Sequence, residues 1–340
     1  MLLKLRSAAR RVLGVGDDRA AAGRLPAAVV RGDWFSREEP IMGTAIRVEL
    51  WAEDAVLAQQ AIDAVMADMH RIDHLMSPYR EDSELSRINR EAPLRPVAIS
   101  EELFELIERS VAFSRLTGGA FDITYASVGR HYDYRAGVRP DDALIARARP
   151  GIGFRHLLLD ATARTLRFGH PDTAIDLGGF AKGHAVERGA GILRGHGVTH
   201  GIVTAGGDSR LIGDRRGRPW SIGIRDPRRP GELAAVLPLR DVAVSTSGDY
   251  ERYFESAGQR HHHILDPRTG RSPSLVRSVT IIAPDGLTSE GLSKAVFILG
   301  PEQGIALIER QKDVDAVIVD ASGNLHYSSG LRQGAGPGMQ

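Results

Sequence analysis

A chain of 340 residues, 42% hydrophobic and 26% charged, is long enough to bury one large core or two smaller ones. Its 44 basic and 43 acidic side chains are interspersed and leave a net charge of +1, which removes the electrostatic case for a nucleic-acid binder. Cysteine is absent, which excludes disulfides, a thiolate nucleophile, a zinc-thiolate site and a lipidated cysteine within this sequence.

The opening stretch is basic, and Arg10, Arg11, Arg19 and Arg24 interrupt every apolar run before a signal-peptide core or a membrane span can form. Residues 1–33 are therefore expected to be a poorly ordered extension, offering a membrane surface at most a short basic amphipathic helix in its first fourteen residues. The expected location is cytoplasmic or peripheral to the inner membrane, ahead of periplasmic. A folded domain is expected over 34–330, with its first regular element near Glu39, and a flexible tail over 331–340.

Alternation of apolar and polar residues in TAIRVEL (44–50) predicts a half-buried strand. Ala58, Ala61, Ile62, Val65, Met69, Ile72 and Met76 then recur at helical spacing, which predicts a core-facing helix with its methionines as packing. A second helix opens at ISEELFELIERS, with Ser100 as N-cap and Glu101 and Glu102 favoured by the helix dipole, and ends at Gly118-Gly119. Beyond residue 154 short strands are predicted near 155–160, 164–168, 201–205, 220–225, 242–245, 260–265 and 277–282. Helices are predicted at 180–194, 287–299 and 301–310, the last with Pro301 in its first turn. No repeat or linker divides the chain, so a single α+β unit with a mixed sheet, at most two-lobed, is expected.

Five glycine-bearing clusters stand out: MGT (42–44), TGGAFDIT (117–124), DLGGFAKGHA (176–185), TAGGDSRLIG (204–213) and STSGDY (245–250). Glycine lets backbone N–H groups approach an anion closely, although each cluster alone reads equally well as a turn. None fits a P-loop, and GIGFRH (151–156) lacks the third glycine of the dinucleotide fingerprint. Three histidines open HHHILDPRTG (261–270). On a strand, His261 and His263 share a face that His262 does not, so at most two can work together, too few for zinc. Asp266-Pro267-x-Thr269-Gly270 reads as the turn that ends that strand.

Taken in order, MGT, SPYREDSELSRIN (77–89), GGAFDIT, the Asp-x-Gly-Gly-x-x-Lys-Gly segment at 176–183, AGGD, TSGDYERYF (246–254), HHHILDPRTG and SKAVFILG (293–300) resemble the ApbE-type flavin transferases, from about Met42 to Gly300. Proteins of that family split FAD and attach FMN through a phosphoester to a threonine or serine of an acceptor flavoprotein, releasing AMP and usually using magnesium. The resemblance implies that Met42, Tyr79, Ala120, Phe121, Asp122, Asp176, Lys182, His263 and Ile264 contact FAD, with Tyr79 stacking on a ring and Lys182 meeting a phosphate. It also implies that His263 is the catalytic base beside Asp176. Bland readings stand against these roles: a turn-stabilising Asp122, a solvated Lys182 and a structural, backbone-bonded His263. The expected phenotype is loss of transfer in His263→Ala and little effect in His262→Ala.

One segment departs from the resemblance. Where the family usually carries an aspartate and, four residues on, a threonine as magnesium ligands with the carbonyl of Gly179, this sequence has Glu290 and Lys294. Asp285 and Ser289 have the same spacing, but using them breaks the match at Leu292, Ala295, Phe297 and Leu299-Gly300. A protonated lysine has no lone pair for a metal, so Mg2+ is in doubt. Lys294 then reads either as half of a surface salt bridge to Glu290 or as a partial substitute for the cation, with Lys182 supplying the remaining positive charge. Beside transfer stand two alternatives: an FAD-binding protein without transfer, and a metal-dependent FAD pyrophosphatase.

Overall fold

The alternation in TAIRVEL places Ile46, Val48 and Leu50, all fully buried, on one face of a strand that runs Thr44–Ala52. This computed structural model describes residues 32–229 and 231–334. Eight strands lie side by side in chain order: Asp33–Ile41, Thr44–Ala52, Gly201–Ala205, Asp208–Ile212, Ala243–Gly248, Val276–Ala283, Asp315–Asp320 and Leu325–Tyr327. Every neighbouring pair is antiparallel, which narrows the mixed sheet expected from sequence to an antiparallel one.

Three helices cover this sheet in a row. Ala55–Met76 packs on the first two strands, Ala181–Gly195 on the third and fourth, and Gly286–Ile308 on the fifth to seventh, and each helix touches the next. The first of them buries Met66, Met69 and Met76 beside its aliphatic residues, so its methionines do fill the core. Burying each such side chain contributes about 1.5–3 kcal/mol. The third breaks at Gly300, where φ is 82°, matching the two helices expected around Pro301.

The described residues form one compact unit rather than two lobes. Its first strand begins at Asp33, six positions before Glu39, and pairs along its whole length from Asp33↔Ala52 to Ile41↔Thr44. Arg37, Glu38, Glu39 and Pro40 hide that strand from a hydrophobicity reading, yet its alternate residues are exposed as on an outer strand. The expectations for the rest of the extension, residues 1–31, and for 335–340 lie outside the described residues. Ser100 occupies the N-cap of Glu101–Leu116, but its hydroxyl makes no capping bond; its N–H instead donates to Glu84 at 2.7 Å. Among the described residues no helix is long and apolar enough to cross a membrane.

Candidate active site

All five glycine clusters meet. Met42 and Gly43 form the two-residue turn between the paired Ile41 and Thr44, with φ of 54° and 68°. Such a hairpin turn requires positive φ at both positions, which glycine accepts freely and methionine does not. Beside it the Gly206 N–H donates to the Ala45 carbonyl at 3.1 Å, and a Cβ on Gly207 would lie 2.5 Å from the Thr246 carbonyl, so AGGD and STSGDY abut the MGT turn. Lys182 ties the fourth cluster to Asp208 of AGGD at 3.3 Å. The fifth joins through the Asp176 N–H, which donates to the Ile123 carbonyl at 3.0 Å.

A buried charge cluster lies at this junction. Gly183 and Gly286 let two helices touch backbone to backbone: a Cβ on either would fall 2.2 Å from the other's carbonyl oxygen. That contact brings fully buried Glu290 to the start of the Ala181–Gly195 helix, where its Oε2 accepts the otherwise unpaired Gly183 N–H at 2.7 Å. Its Oε1 accepts from Lys182 Nζ at 2.5 Å. Lys182 also donates to the Gly178 carbonyl at 3.0 Å and reaches Asp208 Oδ2 at 3.3 Å, so all three of its donors are committed. Burial opposes its charge, but Glu290 and Asp208 outweigh burial and raise its pKa above the usual lysine value. Burial, and then the charge of Asp208, push Glu290 upward, while Lys182 and Lys294 pull it back.

Lys294 sits one helical turn on, its side chain 15% exposed. Its Nζ donates to Ser247 Oγ at 2.7 Å and stands 4.0 Å from Glu290 Oε1. Ser247 in turn bonds Ser293 Oγ at 2.8 Å, whose hydroxyl donates to the Glu290 carbonyl at 2.8 Å. Burial lowers the pKa of Lys294, with Glu290 opposing. Lys182 is therefore not the solvated residue of the bland reading, nor is it free to meet a phosphate. Lys294 is not half of a surface salt bridge. Asp285, the alternative at the same spacing, caps its own helix by accepting from the Thr288 N–H and hydroxyl at 3.0 and 2.7 Å.

The predicted strand 260–265 ends sooner, at Gln259–His262, so His263 lies just past it, its N–H donating to the Arg252 carbonyl at 3.1 Å. The split between His262 and His263 survives this change. His262 is 2% exposed, its Nε2 against the Pro273 carbonyl at 2.8 Å and its ring edge-on to Phe297. His263 Nδ1 is buried without a partner, against the bland reading of a backbone-bonded ring. Burial first, then Lys294, His262, Arg252 and Lys182, lower its pKa to about 3, so the imidazole is neutral at physiological pH. His261 instead packs on Phe254. Gly270, at φ 69°, closes the expected turn by donating to the Asp266 carbonyl at 2.8 Å.

The remaining predicted residues divide. Tyr79 is 86% exposed and near enough to Tyr125 and Tyr134 to influence both, a ring free to stack. Asp176 Oδ1 accepts the Gly178 N–H at 2.5 Å, and burial raises its pKa against the pull of Lys182 and Arg252. Ala120, Phe121, Asp122 and Ile264 are buried. Phe121 packs on Phe113 and Phe180, and the Asp122 carboxylate accepts from Thr124 and the Phe154 N–H, so it stabilises its own turn. Sequence reasoning gave no role to Asp208, Ser247 or Arg252, although all three lie in motifs it quoted. Arg252 adjoins Gly43, acts on both His263 and Asp176, and has no carboxylate partner among the described residues.

The ApbE family model matches residues 42–318. An FAD:protein FMN transferase of Treponema pallidum (strain Nichols) is 32% identical over 317 residues, 87% of each chain. One from Vibrio cholerae (serotype O1, strain ATCC 39541) is 32% identical over 302 residues, 85% of this chain and 89% of the relative. The crystal structure of the ApbE protein from Thermotoga maritima superposes with a TM-score of 0.82 at 33% identity, over 88% of this chain and 99% of that one. The flavin transferase ApbE from Vibrio cholerae gives 0.78 at 28% identity, over 89% and 99%.

Proposed function

The chain belongs to the ApbE family, and from that premise we propose that it cleaves FAD and attaches the FMN half to a threonine or serine hydroxyl of an acceptor flavoprotein, releasing AMP. The observation that carries the reading is the junction itself, where five segments distant in sequence bring an unpartnered neutral histidine beside Lys294 and Arg252. Phosphoryl transfer asks mainly for positioning and charge neutralisation, and this junction offers both.

In this reading the acceptor oxygen bonds to the FMN phosphorus as the bond to the AMP oxygen breaks, and AMP leaves as its phosphate. His263 takes the hydroxyl proton. With a pKa near 3 it is a weak base before FAD binds, because burial first, and then Lys294 and Arg252 among its cationic neighbours, disfavour its charged form. The negative diphosphate offsets the cationic part of that depression and so shifts the imidazole toward a stronger base. Met42, held at positive φ on the turn, and the open ring of Tyr79 provide flavin or adenine contacts.

The residues present do not fit a resident magnesium. Both Glu290 oxygens accept hydrogen bonds, Lys294 stands where a hydroxyl ligand is implied, and among the described residues no three His, Asp or Glu side chains group around a metal. No step is therefore assigned to one.

The test is direct. Incubation with FAD and candidate acceptor proteins, followed by intact-mass measurement, should add one FMN to the acceptor and release AMP. Tight FAD binding with no mass gain on any acceptor would favour a binding protein, and AMP release without acceptor labelling would favour a pyrophosphatase.

A further inference from the structure

The charge cluster contains two lysines, and a count of their donors separates them. Lys182 has three N–H groups and three acceptors, Glu290, Asp208 and the Gly178 carbonyl, and nothing left to offer a ligand. Lys294 has one hydrogen bond, to Ser247, and a 4.0 Å contact with Glu290 too long to count as another. Two of its three N–H groups are therefore uncommitted, in a side chain only 15% exposed, next to an imidazole that its charge depresses. Leaving a buried ammonium short of acceptors is costly unless something arrives to supply them. Its stem packs beside Gly179, where a Cβ would lie 3.5 Å from Lys294 Cγ, an ordinary van der Waals distance.

We infer that Lys294 is a built-in cation that takes the place of a divalent metal, donating its uncommitted N–H groups to the diphosphate of FAD. The Ser247–Ser293 pair aims it, and Lys182 is reserved for holding Glu290 and Asp208 in place. Glu290 is then a structural counter-ion rather than a ligand, its two oxygens spent on Lys182 and the Gly183 N–H. The inference rests on FAD being the ligand, but not on transfer taking place.

The experiment reads binding separately from transfer. FAD and riboflavin are titrated by flavin fluorescence against the full chain, with a chelator or with magnesium, for wild type, Lys294→Met, Lys294→Arg and the double variant Glu290→Asp/Lys294→Thr. Mn2+ binding is followed by electron paramagnetic resonance, and circular dichroism checks folding. Wild type should bind FAD equally in chelator and in magnesium and should not take up Mn2+. Lys294→Met should weaken FAD by about tenfold or more, the loss of one charged hydrogen bond, while leaving riboflavin, which lacks the diphosphate, unchanged. Lys294→Arg should retain most of the FAD affinity. The double variant should bind Mn2+, and its FAD affinity should become magnesium-dependent.

Wild-type FAD binding that collapses in chelator, or undiminished FAD binding by a folded Lys294→Met, overturns the inference. If Lys294→Met does not fold, the decision passes to Lys294→Arg and the double variant: loss of FAD by the first, or metal-independent binding by the second, also overturns it. Chelator-insensitive FAD binding with no acceptor labelled would sink the transferase reading and leave the cation standing. No FAD binding under any condition would sink both.

Discussion

Replacing Lys182 by methionine removes the one group that touches both buried carboxylates while keeping the volume of the side chain. In the variant Glu290, fully buried, and Asp208, 3% exposed in its side chain, face each other with the nearest remaining ammonium 4.0 Å from Glu290. Breaking a buried pair by deleting one partner costs about 3–5 kcal/mol. For a domain of this size that is a fall in Tm on the order of 10 °C. The loss should depend on pH. Burial and Asp208 already hold Glu290 above its ordinary 4.5, and without Lys182 one of the two acids must bind a proton that the unfolded chain has released. The folded variant thus carries more protons than the unfolded chain above about pH 5, so its stability falls as pH rises and recovers toward pH 5. Urea unfolding of wild type and Lys182→Met at pH 5, 6.5 and 8 should show the gap widening with pH. A gap that is flat with pH, or below about 1 kcal/mol throughout, would show that Lys182 does not neutralise this pair.

Acid stability should report on His263: its pKa of about 3 against 6.5 when unfolded means the unfolded chain binds a proton first as pH falls, costing on the order of 2 kcal/mol by pH 5. His263→Gln should lose transfer yet flatten that acid limb in denaturant titrations; an unchanged limb would place the ring in solvent. His262→Ala, harmless on strand alternation alone, should instead destabilise by about 2–4 kcal/mol, since it empties a packed site against Phe297 and strands the Pro273 carbonyl. Met42→Gly should raise stability by up to about 1 kcal/mol by relieving the positive φ, and weaken FAD binding by removing the thioether; a thermal melt and a fluorescence titration separate the two effects. Arg252→Gln should leave Tm within about 1 °C, as an unpaired surface guanidinium contributes little, while raising the Kd for FAD.

Elements whose pattern comes from one periodicity were legible in the sequence. The Ala55–Met76 helix shows its buried face every third or fourth residue, and the strand at Thr44–Ala52 every second. Asp33–Ile41 was not legible, because its register comes from the Met42–Gly43 turn and the partner strand rather than from its own alternation. The early end of the histidine strand has the same cause: its partner, Tyr253–Ser256, runs out at Tyr253↔His262. Motif order brought together residues that the fold does gather, with Glu290 and Lys294 among them. Sequence could not count donors. Whether Lys182 or Lys294 is free depends on Glu290 and Asp208, both distant from Lys182 in the chain and brought to it only by folding.

That count also explains why the two departures from the implied metal pair belong together. The carboxylate of Glu290 bonds both Lys182 and the Gly183 N–H, locking the helix start against the neighbouring helix, and in doing so it uses both oxygens. A carboxylate so committed has little to give a divalent ion, and a site without its ion leaves a diphosphate uncompensated. Lysine at 294 restores one positive charge on the same helix, four residues on, where Ser247 can aim it. Changing Lys294 alone to threonine should therefore leave neither ammonium nor metal, and weaken FAD more than the double change with Glu290→Asp, whose shorter carboxylate withdraws from the Gly183 N–H and frees an oxygen. FAD titrations of the two variants in magnesium decide it. Equal affinities would mean that Glu290 and Lys294 act independently.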